Sequence, residues 1–325
     1  MTVERSPVAF GGDFPFTGWI HRDAAAAPTG QVAVICGPVG YEYTRAYRSL
    51  CHLADRFARA GIPALRFDYH GTGSSPGDDL DPGRVEAWKA NIRTALNTLA
   101  RGRTPGRTPG RTPGQTPGPS PVLVGVRLGA TLAAQVAEEM PVDRLVLWNP
   151  VVAGRAYLRE LQAIAASAEK QQCDVEGALE AAGFVMSAET QRDIRAIDLK
   201  AVTPRARKVL VLHRDDLGID ASLYGAWRER GLAVEQQNVP GWTGMMAEHQ
   251  FTVVPGAALE AIVSWSRDEP AANAPVDLPR GDALPDRETP VTFEHLAGVL
   301  HRPEAEAGKP AVVMFNAGAV HHVGP

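Results

Sequence analysis

Short apolar runs alternate with amphipathic stretches along most of the chain. "QVAVIC" (31–36) leads into a Gly/Pro loop, and "RAYRSLCHLADRFARAG" (45–61) carries apolar residues at helical spacing before closing on a glycine suited to a helix C-terminus. "IPALRFDYHG" (62–71) predicts a strand with a glycine turn, and "RVEAWKANIRTALNTLA" (84–100) a second amphipathic helix. "PVLVGV" (121–126) is followed by a helical pattern over Ala130–Met140, then by apolar runs at 142–150, 208–216 and 233–242. Strand–helix alternation of this kind predicts an α/β fold with a mostly parallel, doubly wound sheet, whose ligands bind beyond the carboxyl ends of the strands. Residues 151–207 interrupt the rhythm with helical stretches and predict a helical cap. Its Tyr157, Leu161 and Phe184 suit a lidded pocket, or equally the cap's own core.

Two repeats change this picture. Residues 101–121, "RGRTPGRTPGRTPGQTPGPSP", repeat Arg or Gln, Thr, Pro, Gly. Proline at every fourth position removes amide donors and glycine adds chain entropy, so a disordered loop is expected, at the end of the sheet opposite the site. The second repeat is "GWIHR" (18–22) before "QVAVICGPVG" and "GVLHR" (298–302) before "PAVVMFNAGAVHHVGP". Between the copies, the Pro-, Ala- and Asp-rich stretch 269–290 looks like a linker. The expected organisation is one domain over 1–268, the linker, and the N-terminal start of a second, similar domain over 291–325. A stretch of that length cannot bury a core alone, so it docks, pairs with another chain or stays loose.

Composition narrows the function. In 325 residues the net charge is −4, with both signs interspersed, which gives no field for nucleic acid or an anionic membrane surface. Cys36, Cys51 and Cys173 are an odd number without metal-ligand spacing, as expected of a reducing compartment. No cofactor or metal is implied. No signal-peptide pattern or uninterrupted membrane-length apolar segment occurs, so the expected location is the cytoplasm.

The chemistry concentrates at "GVRLG" (125–129), on the turn from predicted strand to predicted helix. A nucleophile elbow has the pattern G-x-S-x-G in this setting, and here Arg127 stands where the serine would be. "RFDYHGTGSS", with Asp68, Gly71, Gly73 and Ser75, is similar to the D-x-x-G-x-G-x-S turn of the α/β-hydrolase family, and "CGPVG" occupies the place of its oxyanion loop. Over residues 14–268 the chain resembles that family. "CGPVGYEY", "GVRLGATLAA" and "LWNPVVAGRAYLREL" resemble a bacterial branch of serine-aminopeptidase-S33-like, exosortase-system-associated hydrolases. The resemblance implies an acid after "KVLVLH", at Asp216 with Asp215 and then Asp220 as alternatives, and a histidine base at His249. As a surface residue or helix cap, His249 would have no such role. His213 reads as a buried strand residue and His70 as a turn residue.

A guanidinium has no lone pair for attack on a carbonyl, so Arg127 cannot replace serine. It also places a cation at a helix N-terminus, in a turn that favours positive φ. An anion should compensate, and Arg127 is expected to bridge to Glu42 or Asp216; alternatively it stays free to clamp a ligand carboxylate or phosphate. The oxyanion donors would be the amides of Leu128 and, since Pro38 has none, of Val39, with Gly40 beside it. Cys36 reads as core, Ser74 and Ser75 as turn hydroxyls. Three readings remain open. One is a catalytically altered protein binding a small acyl or carboxylate ligand. The second is an ester, thioester or amide hydrolase using water activated by His249 and Asp216, or a second hydrolase-like domain. The third is an interaction module.

Overall fold

The computed structural model describes residues 3–101, 119–167, 174–217, 221–267, 288–293 and 296–301. All but the edges of the repeat loop at 101–121, and with it Cys173, Asp220, most of the linker at 269–290 and most of 291–325, lie outside these residues.

The chain opens with a hairpin of β1 (Glu4–Phe10) and β2 (Phe16–Arg22), then β3 (Gln31–Cys36), α1 (Tyr41–Arg59), β4 (Ala64–Phe67) and α2 (Arg84–Arg101). It continues through β5 (Ser120–Val126), α3 (Leu128–Glu139) and β6 (Val142–Trp148). The cap follows, with α4 (Gly154–Ser167), the strands β7 (Leu179–Ala181) and β8 (Phe184–Met186), α5 (Ala188–Arg195) and a 3-10 turn at Leu199–Ala201. Then come β9 (Ala206–His213), α6 (Ser222–Glu229), β10 (Val234–Asn238), α7 (Trp242–Met245), a 3-10 turn at His249–Phe251 and α8 (Gly256–Ser266). A separate hairpin is formed by β11 (Glu288–Phe293) and β12 (Leu296–His301). β11 thus begins inside the stretch read as linker.

The main sheet has the order β1-β2-β4-β3-β5-β6-β9-β10. β2 is antiparallel to both its neighbours, and every pairing from β4 to β10 is parallel, as the alternating pattern predicts. Side chains of β3 alternate between faces: Val32, Val34 and Cys36 pack with α2 and α3, while Ala33 and Ile35 pack with α1 and α8. Burial on both faces explains why these strands read as unbroken apolar runs. α1 turns Tyr43, Ala46, Tyr47, Leu50, Leu53, Ala54 and Phe57 inward, the three- and four-residue spacing of one helix face.

The cap departs from the all-helical expectation, since it contains the β7–β8 hairpin as well as two helices. Each of those strands has only three residues, too short to print an alternation on the sequence. The strand expected over 62–71 ends at Phe67, where the chain enters a locked turn. There Ser75 donates to the Asp68 carbonyl at 2.6 Å and accepts from the Thr17 amide at 2.9 Å.

Candidate functional site

The turn between β5 and α3 is forced by close approach. A Cβ at Gly129 would lie 2.0 Å from the Gly37 carbonyl oxygen, and one at Gly125 would lie 2.3 Å from the Ala130 Cα. Only glycine lets α3 start this close to β3 and β5. Arg127, between them, has φ 53 and ψ −124, and its amide donates to the Trp148 carbonyl at 3.0 Å. Arg127 thus stands in a positive-φ turn at the carboxyl edge of the sheet, with its guanidinium at the tip.

Arg127 is 6 % exposed. Its Nε donates to Glu42 Oε1 at 2.6 Å, and its Nη2 donates to Glu160 of α4. The guanidinium lies 5.3 Å from the centre of the Tyr157 ring, and the Tyr157 hydroxyl donates to the other Glu42 oxygen at 3.2 Å. Of the two expected partners the structure selects Glu42. Asp216 is not on Arg127, because Arg214, two residues before it, donates to both its oxygens at 2.7 and 2.6 Å. Nor is one carboxylate gripped by both prongs of the arginine, which instead divides its donors between two glutamates. Glu160 escaped the sequence reading. Its position three residues after Tyr157 on one helix was the available signal, but which cap face meets the sheet is a tertiary fact.

Electrostatics follow from burial. Desolvation opposes the charge on Arg127, yet Glu42 and Glu160 outweigh it and push its pKa up, so it stays cationic. Burial pushes the Glu42 carboxyl up, and Arg127 pulls it back only in part. Hydrogen bonding from Arg214 holds Asp216 low.

The other expected residues fall as follows. Leu128 begins α3 and is fully buried. Val39 and Gly40 lie in the loop before α1, where Gly40 has φ 64 and its carbonyl accepts from the Tyr43 amide at 3.0 Å. Asp215 accepts from the Gly241 amide at 2.6 Å, which ties the end of β9 to the loop after β10. The His249 backbone opens the 3-10 turn before α8, and its side chain lies outside the described residues. His213 ends β9 and is partly exposed, not buried as expected. His70 sits in the β4 turn with Nε2 2.9 Å from Asp81. Cys36 is fully buried and burial pushes its thiol up, which suits a core residue.

Three spaces lie beneath or beside the cap, and one of them reaches Arg127. Below Tyr157 and Phe184, where a lidded pocket was one expectation, only about 10 Å³ is open, room for no more than one water. The cap is packed down here. A cavity of about 280 Å³ on the β6–β9 side is bounded by Arg127, Asn149, Glu160, Lys200 and Arg214. A cleft of about 350 Å³ lies on the other side, between the Gly71–Gly77 turn, Arg84 and the β7–β8 hairpin. Among the described residues no group of His, Cys, Asp and Glu could hold a metal ion, and no helix is long and apolar enough to cross a membrane.

No protein-family model matches the chain, and no curated protein does. Among solved structures, Est1E from Butyrivibrio proteoclasticus with ferulic acid bound is similar at 15% identity and a TM-score of 0.54, over 79% of this chain and 96% of that one. The esterase domain of a Rhodothermus marinus protein is similar at 17% identity and a TM-score of 0.52, over 82% and 98%. A Xanthomonas campestris α/β serine hydrolase without a lid is similar at 15% identity and a TM-score of 0.50, over 84% and 99%. The fold is that of the α/β hydrolases.

Proposed function

We propose that this chain is a relative of ester, thioester and amide hydrolases that binds an acyl or carboxylate ligand without serine catalysis. Within the fold we place it in the serine-aminopeptidase-S33-like, exosortase-system-associated branch that "CGPVGYEY" and "GVRLGATLAA" resemble. One observation carries the reading: a buried arginine, held by Glu42 and Glu160, occupies the tip of the turn where a nucleophile would stand. It offers no electron pair, and its charge is already compensated. A ligand carboxylate suits Lys200 and the Arg127 edge of the neighbouring cavity, and a solved structure of the same fold holds ferulic acid, a carboxylic acid. Water activated by His249 and Asp216 is the weaker alternative, since Arg214 occupies both Asp216 oxygens. The test is turnover of nitrophenyl butanoate alongside equilibrium binding of butanoate. A release rate equal to buffer with saturable butanoate binding supports the reading. A burst of nitrophenol followed by steady turnover overturns it.

A second reading, that the chain belongs to a tandem array and works partly as an interaction module, is favoured by the register of the two hairpins. In the first, Val8 faces Gly18 and Pro7 faces Trp19; in the second, Val291 faces Gly298 and Pro290 faces Val299. "SPVAF" in β1 therefore aligns with "TPVTF" in β11, a correspondence additional to the Gly-x-aliphatic-His-Arg repeat. A Cβ at Gly18 would lie 2.6 Å from the Arg66 carbonyl of β4, so the glycine admits the neighbouring strand. Gly298 is the residue a second hairpin needs to receive a strand in the same way.

A further inference from the structure

The two carboxylates on Arg127 are unlike. Glu42 is almost fully buried and also accepts from Tyr157, whereas the Glu160 side chain is 51% exposed and Arg127 is its hydrogen-bond partner among the described residues. Glu160 lines the 280 Å³ cavity, so the contact it makes with Nη2 stands at the cavity wall. One further feature of that wall suits a carboxylate: Lys200 borders it. The remaining wall mixes apolar residues, Val151, Val211 and Leu223 among them, with His213, Arg214 and Gln236.

We infer that Glu160 is a displaceable internal ligand, and that a short-chain aliphatic monocarboxylate occupies this cavity by taking its place on the Arg127 guanidinium. The inference rests on the ligand-binding reading above and names its ligand class. Exchange of one carboxylate for another leaves the charge around Arg127 unchanged, so no ion is left buried and unpaired. Glu42 keeps its hold on Nε, which fixes the guanidinium during the exchange. Glu160 swings into water, where half of it already lies. The alkyl chain of the ligand packs on Val211 and Leu223.

The experiment is calorimetric titration of the full chain with sodium acetate, propanoate and butanoate, and with butanamide, at ionic strength matched by sodium chloride. Affinity rises about fourfold per added methylene, and butanamide binds about tenfold more weakly than butanoate. Glu160→Gln turns the internal competitor into a neutral, weaker acceptor and tightens butanoate about fivefold. Glu160→Asp keeps the charge but is one methylene too short to reach Nη2, so it tightens butanoate to a similar degree. If butanoate binds but both variants bind it no more tightly than the native chain, displacement is wrong while the ligand-binding reading stands. If Glu160→Gln tightens binding and Glu160→Asp does not, the effect is one of field and displacement is again wrong. If the folded native chain and both variants bind no carboxylate, the ligand-binding reading falls and the inference with it.

Discussion

The ion-pair node at Arg127 predicts an asymmetry between two glutamates that the same arginine holds. Glu42→Gln preserves shape and one acceptor oxygen but removes the charge from a pair whose side chains are 5% and 7% exposed. Removing one partner of a buried pair costs about 3–5 kcal/mol, and Gln, which still accepts from Nε, should bring this to roughly 2–3 kcal/mol. Glu160→Gln touches a side chain that is half in water, where exposed pairs contribute about 0–1 kcal/mol. Urea unfolding at pH 7 measures both, as a shift in midpoint at constant slope. Replacing both partners, Glu42→Leu with Arg127→Met, should recover most of the Glu42→Gln loss, because paired removal leaves no buried charge; the Tyr157 hydroxyl then lacks its acceptor at a cost of about 1 kcal/mol. Equal costs for the two single variants, or a larger one for Glu160→Gln, would refute the assignment of Glu42 as the fixed partner and Glu160 as the loose one.

Further outcomes follow from other parts of the molecule. Under the sheet edge, His21 is fully buried, with Nδ1 2.8 Å from Asp55 and Nε2 accepting from Arg66 Nε at 3.0 Å. Burial lowers the His21 pKa, and hydrogen bonds from His21 and Arg5 hold Asp55 low against its own burial. The unfolded chain therefore takes up His21's proton first, so stability measured by urea unfolding should fall as pH drops below about 6.5 and fall again below about 4, and His21→Phe should shrink the first step to the share of the more exposed His52, whose pKa burial also lowers. Gly129→Ala puts a Cβ 2.0 Å from the Gly37 carbonyl and 2.6 Å from that of Cys36, so thermal melting should show a loss of at least about 3 kcal/mol. Cys36 should resist a thiol reagent in the native chain and react fully in urea, as read by mass spectrometry. A chain ending at Arg267 should melt at the temperature of the full chain if the β11–β12 hairpin belongs to a separate module.

Much of the fold was legible because both-face burial writes unbroken apolar runs for β3, β5, β6 and β9, and one-face burial writes helical spacing for α1 and α2. β1 was not, since it is an edge strand whose sequence, "ERSPVAF", contains a proline and two charges and is buried only in its last three residues. At the site, the Arg127–Glu42 contact was legible as an electrostatic need: a cation at a helix N-terminus requires an anion, and Glu42 lies in the first turn of the helix after the neighbouring loop. Asp216 failed as a partner for a local reason, Arg214 being close enough in sequence to capture it first. Glu160 was hidden because its role depends on how the cap sits on the sheet, which no periodicity within α4 records.

The most direct test of the Arg127 account is the intact mass of the native protein after incubation with a fluorophosphonate, beside a serine hydrolase as positive control. An unchanged mass, while the control gains one phosphonyl group, is the predicted result. A stoichiometric adduct on any serine near the β5–α3 turn would contradict it.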